Sequence, residues 1–91
     1  MLSWNVRPNG VTFTHSAGKH GYNLDDAIYA CTHMTKYDEF QHHGEWYMKL
    51  TGEYHGDPLV QTIEVMMRIA RNGRLIIFHV NAEQGNFWDK D

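Results

Sequence analysis

The stretch Asp57-Pro58-Leu59-Val60-Gln61-Thr62-Ile63-Glu64-Val65-Met66-Met67-Arg68-Ile69-Ala70-Arg71-Asn72-Gly73 decides the fold, because it reads in two ways. As a helix it has a good start at Asp57-Pro58 and a good stop at Asn72-Gly73. Coiled, however, it puts Val65 and Ile69 on the face that carries Gln61 and Arg68. As a strand, Leu59, Ile63, Val65, Met67 and Ile69 face one way with Gln61 the exception, while Thr62, Glu64 and Arg68 face the other. The alternation favours the strand. Asn72-Gly73 is then expected to form a two-residue type I′ hairpin turn. By count, that register pairs Arg71 with Arg74 and Arg68 with Ile77. Arg74 to Val80 follows as a strand dense in branched residues, expected to be buried on both faces near the sheet centre.

Upstream of this ribbon the chain alternates between short signals. Arg7-Pro8-Asn9-Gly10 marks a turn, and Val11-Thr12-Phe13-Thr14 reads as a short β-run. Thr14 suits the N-cap of a single helical turn from His15 to His20, which Gly21 can close in the left-handed conformation. A second helix is expected from Asn23 as N-cap, with Asp25 and Asp26 in its first turn and an apolar stripe of Leu24, Ala27, Ile28 and Cys31. Thr35 to Phe40 and Glu45 to Thr51 read as strands joined by Gln41-His42-His43-Gly44. In the second of them Trp46, Met48 and Leu50 alternate with Glu45, Tyr47 and Lys49. Thr51 to Pro58 reads as a loop. From Asn81 the chain turns polar and is expected to fray.

The bulk numbers bound the rest. A chain of 91 residues leaves room for one domain, here read as 1–91 with a core of about 11–82. With 42% hydrophobic and 21% charged residues it belongs with globular chains. No apolar run approaches the roughly 20 residues that span a bilayer, and the N-terminus lacks a secretory apolar stretch, so a cytoplasmic, membrane-free protein is expected. The single cysteine, Cys31, makes no internal disulfide. A net charge of −3 argues against nucleic-acid binding by overall charge alone, though not against a local basic site. Seven histidines suit acid–base chemistry, metal ligation or pH response alike.

Two segments resemble one family. Val11-Thr12-Phe13-Thr14-His15-Ser16-Ala17-Gly18-Lys19-His20-Gly21-Tyr22-Asn23-Leu24-Asp25-Asp26-Ala27 resembles the opening of BrnT-type toxins: a strand, a short helix ending in Lys-His-Gly, then an acidic helix start and an alanine. The ribbon from Leu59 to Ala82, centred on Asn72-Gly73-Arg74-Leu75-Ile76-Ile77-Phe78-His79-Val80, is similar to the last two strands of small proteins of the same broad group. The resemblance implies an α+β fold of the RelE/BrnT-like kind, with two short N-terminal helices packed on an antiparallel β-sheet. It further implies an endoribonuclease toxin, with RNA as substrate, held inactive by a cognate antitoxin protein. A homodimer or a toxin–antitoxin hetero-oligomer is the expected assembly. Lys19, His20 and Gly21 match the Lys-His-Gly motif, and Arg74 matches an arginine that opens a strand after the hairpin turn. Where the family carries basic residues beyond the last strand, this chain reads Ala82-Glu83-Gln84-Gly85.

Metal-free RNA cleavage needs a base for the 2′-hydroxyl, an acid for the leaving 5′-oxygen, and cations for the transition state. His20 and Lys19 are the first candidates; the alternative is that His20 caps helix carbonyls and Lys19 is solvated. Arg68 and Arg74 can clamp one phosphate if they share a face, or else belong to an ordinary solvated sheet surface. His79 lies in an apolar strand, as a catalyst or as a core imidazole. His42 and His43, with His33 and His55, read as polar turn residues, because no metal motif accompanies them, and no cofactor or metal is expected. Cys31 reads as inert packing. The alternative to the enzyme is a non-catalytic module on the same fold that pairs with an antitoxin-like partner through an apolar sheet face or edge.

Overall fold

The computed structural model describes residues 10–89, so all of the Arg7–Gly10 turn signal except Gly10 lies outside the described residues. The stretch after Pro58 is extended. Five strands, β1 (Val11–Phe13), β2 (Met34–His42), β3 (Glu45–Asp57), β4 (Val60–Ile69) and β5 (Leu75–Ala82), form one sheet in the order β1-β5-β4-β3-β2. Along β4 the alternation expected from the sequence holds: Ile63, Val65 and Met67 are buried among the core residues. Leu59 is the exception, since it precedes the strand and is 91% exposed.

The register of the ribbon differs from the expected one. Ala70 N–H donates to Arg74 O at 2.9 Å, Gly73 N–H donates to Ala70 O at 2.8 Å, and Gly73 has φ 85°. The loop is therefore three residues long, Arg71-Asn72-Gly73, with glycine in the left-handed position, and not a two-residue turn. Arg68 consequently faces Ile76 and not Ile77. A two-residue turn with positive φ at both positions does occur, at His43-Gly44 (φ 51° and 78°), between His42 and Glu45. β3 also runs on through the glycines to Asp57, where the sequence reads as a loop, with its ladder interrupted between Glu53 and Asp57.

The α+β expectation, two short N-terminal helices packed on an antiparallel β-sheet in the RelE/BrnT-like manner, is corrected. Strand dominates the chain, and the sheet is mixed, because β1 runs parallel to β5. The first helix, α1 (His15–Gly18), is a single turn too short to form a layer. It is tied to the edge of β5, where Thr14 N–H donates to Ile77 O at 3.0 Å and Ser16 Oγ donates to Phe78 O at 2.9 Å. The second helix, α2 (Leu24–Thr32), starts as expected, with Asn23 and Asp26 in a reciprocal capping box. Its buried positions are Ala27 and Ala30, while Leu24 and Ile28 of the expected stripe stand exposed. These alanines bring the helix against the sheet backbone at Gly52, where any Cβ would collide with the Ala30 carbonyl.

Met48, Leu50, Ile63, Val65, Met67, Ile77 and Val80 build the apolar core on the helix side. The register places a different set on the opposite side. One row across β5, β4, β3 and β2 is His79, Met66, Lys49 and Asp38, and the next is Asn81, Glu64, Thr51 and Lys36. A bulge between Met66 and Met67 leaves Phe78 without an opposite residue and turns His79 onto this second face. The segment after Ala82, read as fraying, folds back over these rows and buries Phe87.

Candidate functional site

Glu64 is the feature from which the site grows. It is a carboxylate flanked in sequence by Ile63 and Val65, and it is only 3% exposed. A buried charge of this kind is tolerated only when its oxygens are satisfied. Here both are: His79 Nε2 donates to Oε2 at 2.5 Å, and the backbone N–H of Gln84 donates to Oε1 at 2.7 Å. A carboxylate bonded to one ring nitrogen fixes the orientation and tautomer of an imidazole. With Nε2 carrying the proton, Nδ1 of a neutral His79 ring is the nitrogen with the free lone pair.

His20 comes to the same place from the other side of the sheet edge. β1 covers only Leu75–Ile77 of β5, so the rest of that edge is open to α1 and the turn after it. Gly21, with φ 92°, reverses the chain directly after His20. The rings of His20 and His79 meet edge to face, with centroids 6.2 Å apart and planes at 78°. His20 is exposed and Lys19 is exposed beside it. Of the candidate residues, the structure therefore brings His20 and His79 together, with Lys19 the exposed sequence neighbour of His20.

The arginines are held elsewhere. Arg68 Nη1 bonds Glu45 Oε1 at 2.7 Å, an ion pair on the second face of the sheet. Arg74 donates from Nε to Thr12 Oγ1 and from Nη2 to Val11 O at 3.1 Å, which fastens β1 to the start of β5. Arg68 thus spends one guanidinium nitrogen on Glu45, and Arg74 spends two on β1.

Several residues of the site were not picked out from the sequence. Glu64 carried a usable signal, a lone carboxylate inside an apolar run. Phe87, which stacks on His79 with centroids 6.2 Å apart and planes at 16°, carried none. Nor did Lys49, whose Nζ lies 4.6 Å from the Phe87 ring centre, or Lys36, 4.6 Å from that of Trp88. These contacts depend on where the tail docks, which no local pattern encodes.

His33, His42, His43 and His55 fall outside this site. His42 and His43 contact each other at the β2–β3 turn, with centroids 4.0 Å apart, whereas His33 and His55 flank Tyr29 at the far end of α2. Among the described residues no three His, Cys, Asp or Glu side chains are grouped so as to hold a metal ion. Burial pushes the Cys31 thiol up to about 12, which suppresses the nucleophilic thiolate. Among the described residues no helix is long and apolar enough to cross a membrane. Set beside known proteins, the chain matches no family model, no curated protein and no solved structure.

Proposed function

We propose that this chain is the toxin of a toxin–antitoxin pair and cleaves RNA by metal-independent acid–base chemistry at His20 and His79. The observation that carries the reading is the imidazole pair, with His79 aligned by the buried carboxylate of Glu64. The likeness of the Lys19-His20-Gly21 segment to BrnT-type toxins supports it. In this reading Nδ1 of His79 takes the proton of a ribose 2′-hydroxyl. The 2′-oxygen then bonds to the adjacent phosphorus as the bond to the 5′-oxygen breaks. His20 gives its proton to that departing oxygen, and Lys19 offsets charge on the phosphate. The products are a 2′,3′-cyclic phosphate end and a 5′-hydroxyl end.

The test is inducible expression with mapping of RNA ends, together with incubation of purified protein and single-stranded RNA in a metal chelator. The wild type arrests growth and cuts RNA, and His20→Ala and His79→Ala each lower cleavage by about 10²–10⁴-fold. Intact RNA with the wild type, in cells and in vitro, would sink the enzyme. One observation favours a second reading, a non-catalytic module that binds an antitoxin-like protein: Arg68 and Arg74 are both committed to internal bonds. That reading requires a stable complex with a co-expressed partner and no change in RNA ends.

A further inference from the structure

A cavity of about 270 Å³ opens between the first turns of α2 and the far end of β3, lined by Asp25, Asp26, Tyr29, Tyr54, His55 and Gly56. It lies apart from the His20–His79 site, and nothing in the proposed cleavage uses it. We infer that this cavity receives an arginine side chain presented by a partner protein, whose apolar residues rest on the neighbouring surface of α2. The inference stands whether or not the chain cuts RNA.

The walls are aromatic and they are fixed. His33 stacks on Tyr29 with centroids 3.9 Å apart and planes at 14°, and His55 meets the same ring edge-on at 5.4 Å. Tyr54 is held edge-on by Tyr22 at 5.1 Å, and its hydroxyl lies so close over Gly56 that any side chain there would strike it. Rings already locked in place lose little freedom on binding, which favours affinity. An aromatic face attracts a cation laid on it, most often a guanidinium.

The charge lining the cavity is negative. Asp25 is exposed, and Asp26 is oriented by the amide of Asn23, which donates to its Oδ2 at 3.0 Å. Glu53 and Asp57 line an adjoining cavity that shares Tyr54 and His55, and neither cavity has a lysine or arginine among its lining residues. The same field is felt by the Tyr22 phenol, raised above its ordinary range by burial first and then by Tyr54, Asp57 and Asp26. A planar fork of donors that also stacks on aromatic rings matches this combination better than a compact ammonium does. The space is below the roughly 300–1,000 Å³ of drug-sized sites, as one side chain requires.

The surroundings point to a protein as the source of that side chain. Leu24 and Ile28, 36% and 42% exposed, lie one turn apart on α2, on the stripe next round the helix from Asp25 and Tyr29. A free small cation has no use for that apolar collar, whereas a segment with leucine-like residues flanking an arginine covers it.

The experiment is a titration of the full ¹⁵N-labelled chain, followed by amide shifts. The probes are a short leucine-containing peptide bearing one arginine, the same peptide with citrulline in its place, and arginine amide alone. The arginine peptide should saturate shifts at Asp25, Tyr29, Tyr54 and His55, and the citrulline peptide should bind at least about tenfold more weakly. Asp25→Asn and Tyr29→Ala, both at exposed positions, should each weaken the arginine peptide by about 3- to 20-fold while amides outside α2, His33 and the end of β3 stay in place. Shifts that map elsewhere, no binding at millimolar peptide, equal binding of the citrulline peptide, or equal binding of arginine amide would each overturn the inference.

Discussion

The two faces of the sheet are built on different terms. Towards the helices, alanines and a glycine let backbones approach, and the strands supply Met48, Leu50, Ile63, Val65 and Met67 to a fully apolar layer. On the other face, lysines, a histidine and a buried glutamate lie in rows, covered in part by Phe87 and Trp88 from the folded-back tail. The first face supports the fold through burial, which is non-directional and large. The second depends on a few directed contacts around one carboxylate. β4 belongs to both, because Ile63 and Val65 point one way and Glu64 the other. If the proposed cleavage holds, the apolar layer and the reacting groups are therefore divided by side-chain direction within a single strand.

That separation can be broken from either side. The largest effect on the helix face is expected from Leu50→Ala, which should lose about 2–5 kcal/mol in chemical denaturation through the cavity it leaves. Cleavage per folded molecule should stay unchanged, and a parallel loss of activity would refute the division between faces. Next is Glu64→Gln, which keeps the shape but exchanges a charged acceptor for an amide. It should lower stability by about 1–3 kcal/mol and reduce RNA cleavage by more than that loss of folded protein explains. Phe87→Ala tests the tail: exposing the His79 ring and Lys49 should cost less than Leu50→Ala, with the change confined to amide shifts of β3, β5 and residues 83–89. Asn23→Ala removes the cap of α2 and should lower the melting midpoint by an amount equivalent to about 1 kcal/mol. The smallest effect concerns Cys31. A thiol raised from 9.0 to about 12 has about a thousandfold less thiolate, so alkylation of the native chain near pH 8 should be far slower than in denaturant. Because the folded state holds that proton more tightly than the unfolded state, stability should also fall as pH rises above about 9.

Local rules made much of this legible. The alternation in Ile63 to Ile69 gave the strand and its inward side, and Asn23 with Asp26 marked the start of α2, because faces and caps are written into neighbouring residues. Pairing across the chain was not legible in the same way. Asn72-Gly73 is the commoner signal for a two-residue turn, yet the tight turn lies at His43-Gly44; the extra loop residue shifts the pairing of Leu75–Ile77 by one, and the bulge at Phe78 takes the shift back from His79 onward. The parallel pairing of β1 with β5 depends on the Arg74 bonds to Thr12 and Val11, which join positions more than sixty residues apart. The candidate site was half visible for the same reason. His20, Lys19 and His79 were picked out by residue type, whereas the Glu64 carboxylate on His79 and the bonds of Arg68 and Arg74 join residues far apart in sequence.

The amide of Gln84 and the ring of His79 lie on the two oxygens of one carboxylate, so the last described turn of the chain is wired to the imidazole through a single side chain. A change that lifts residues 84–88 off the sheet would therefore be felt at the imidazole, which lies on the other oxygen of the same carboxylate.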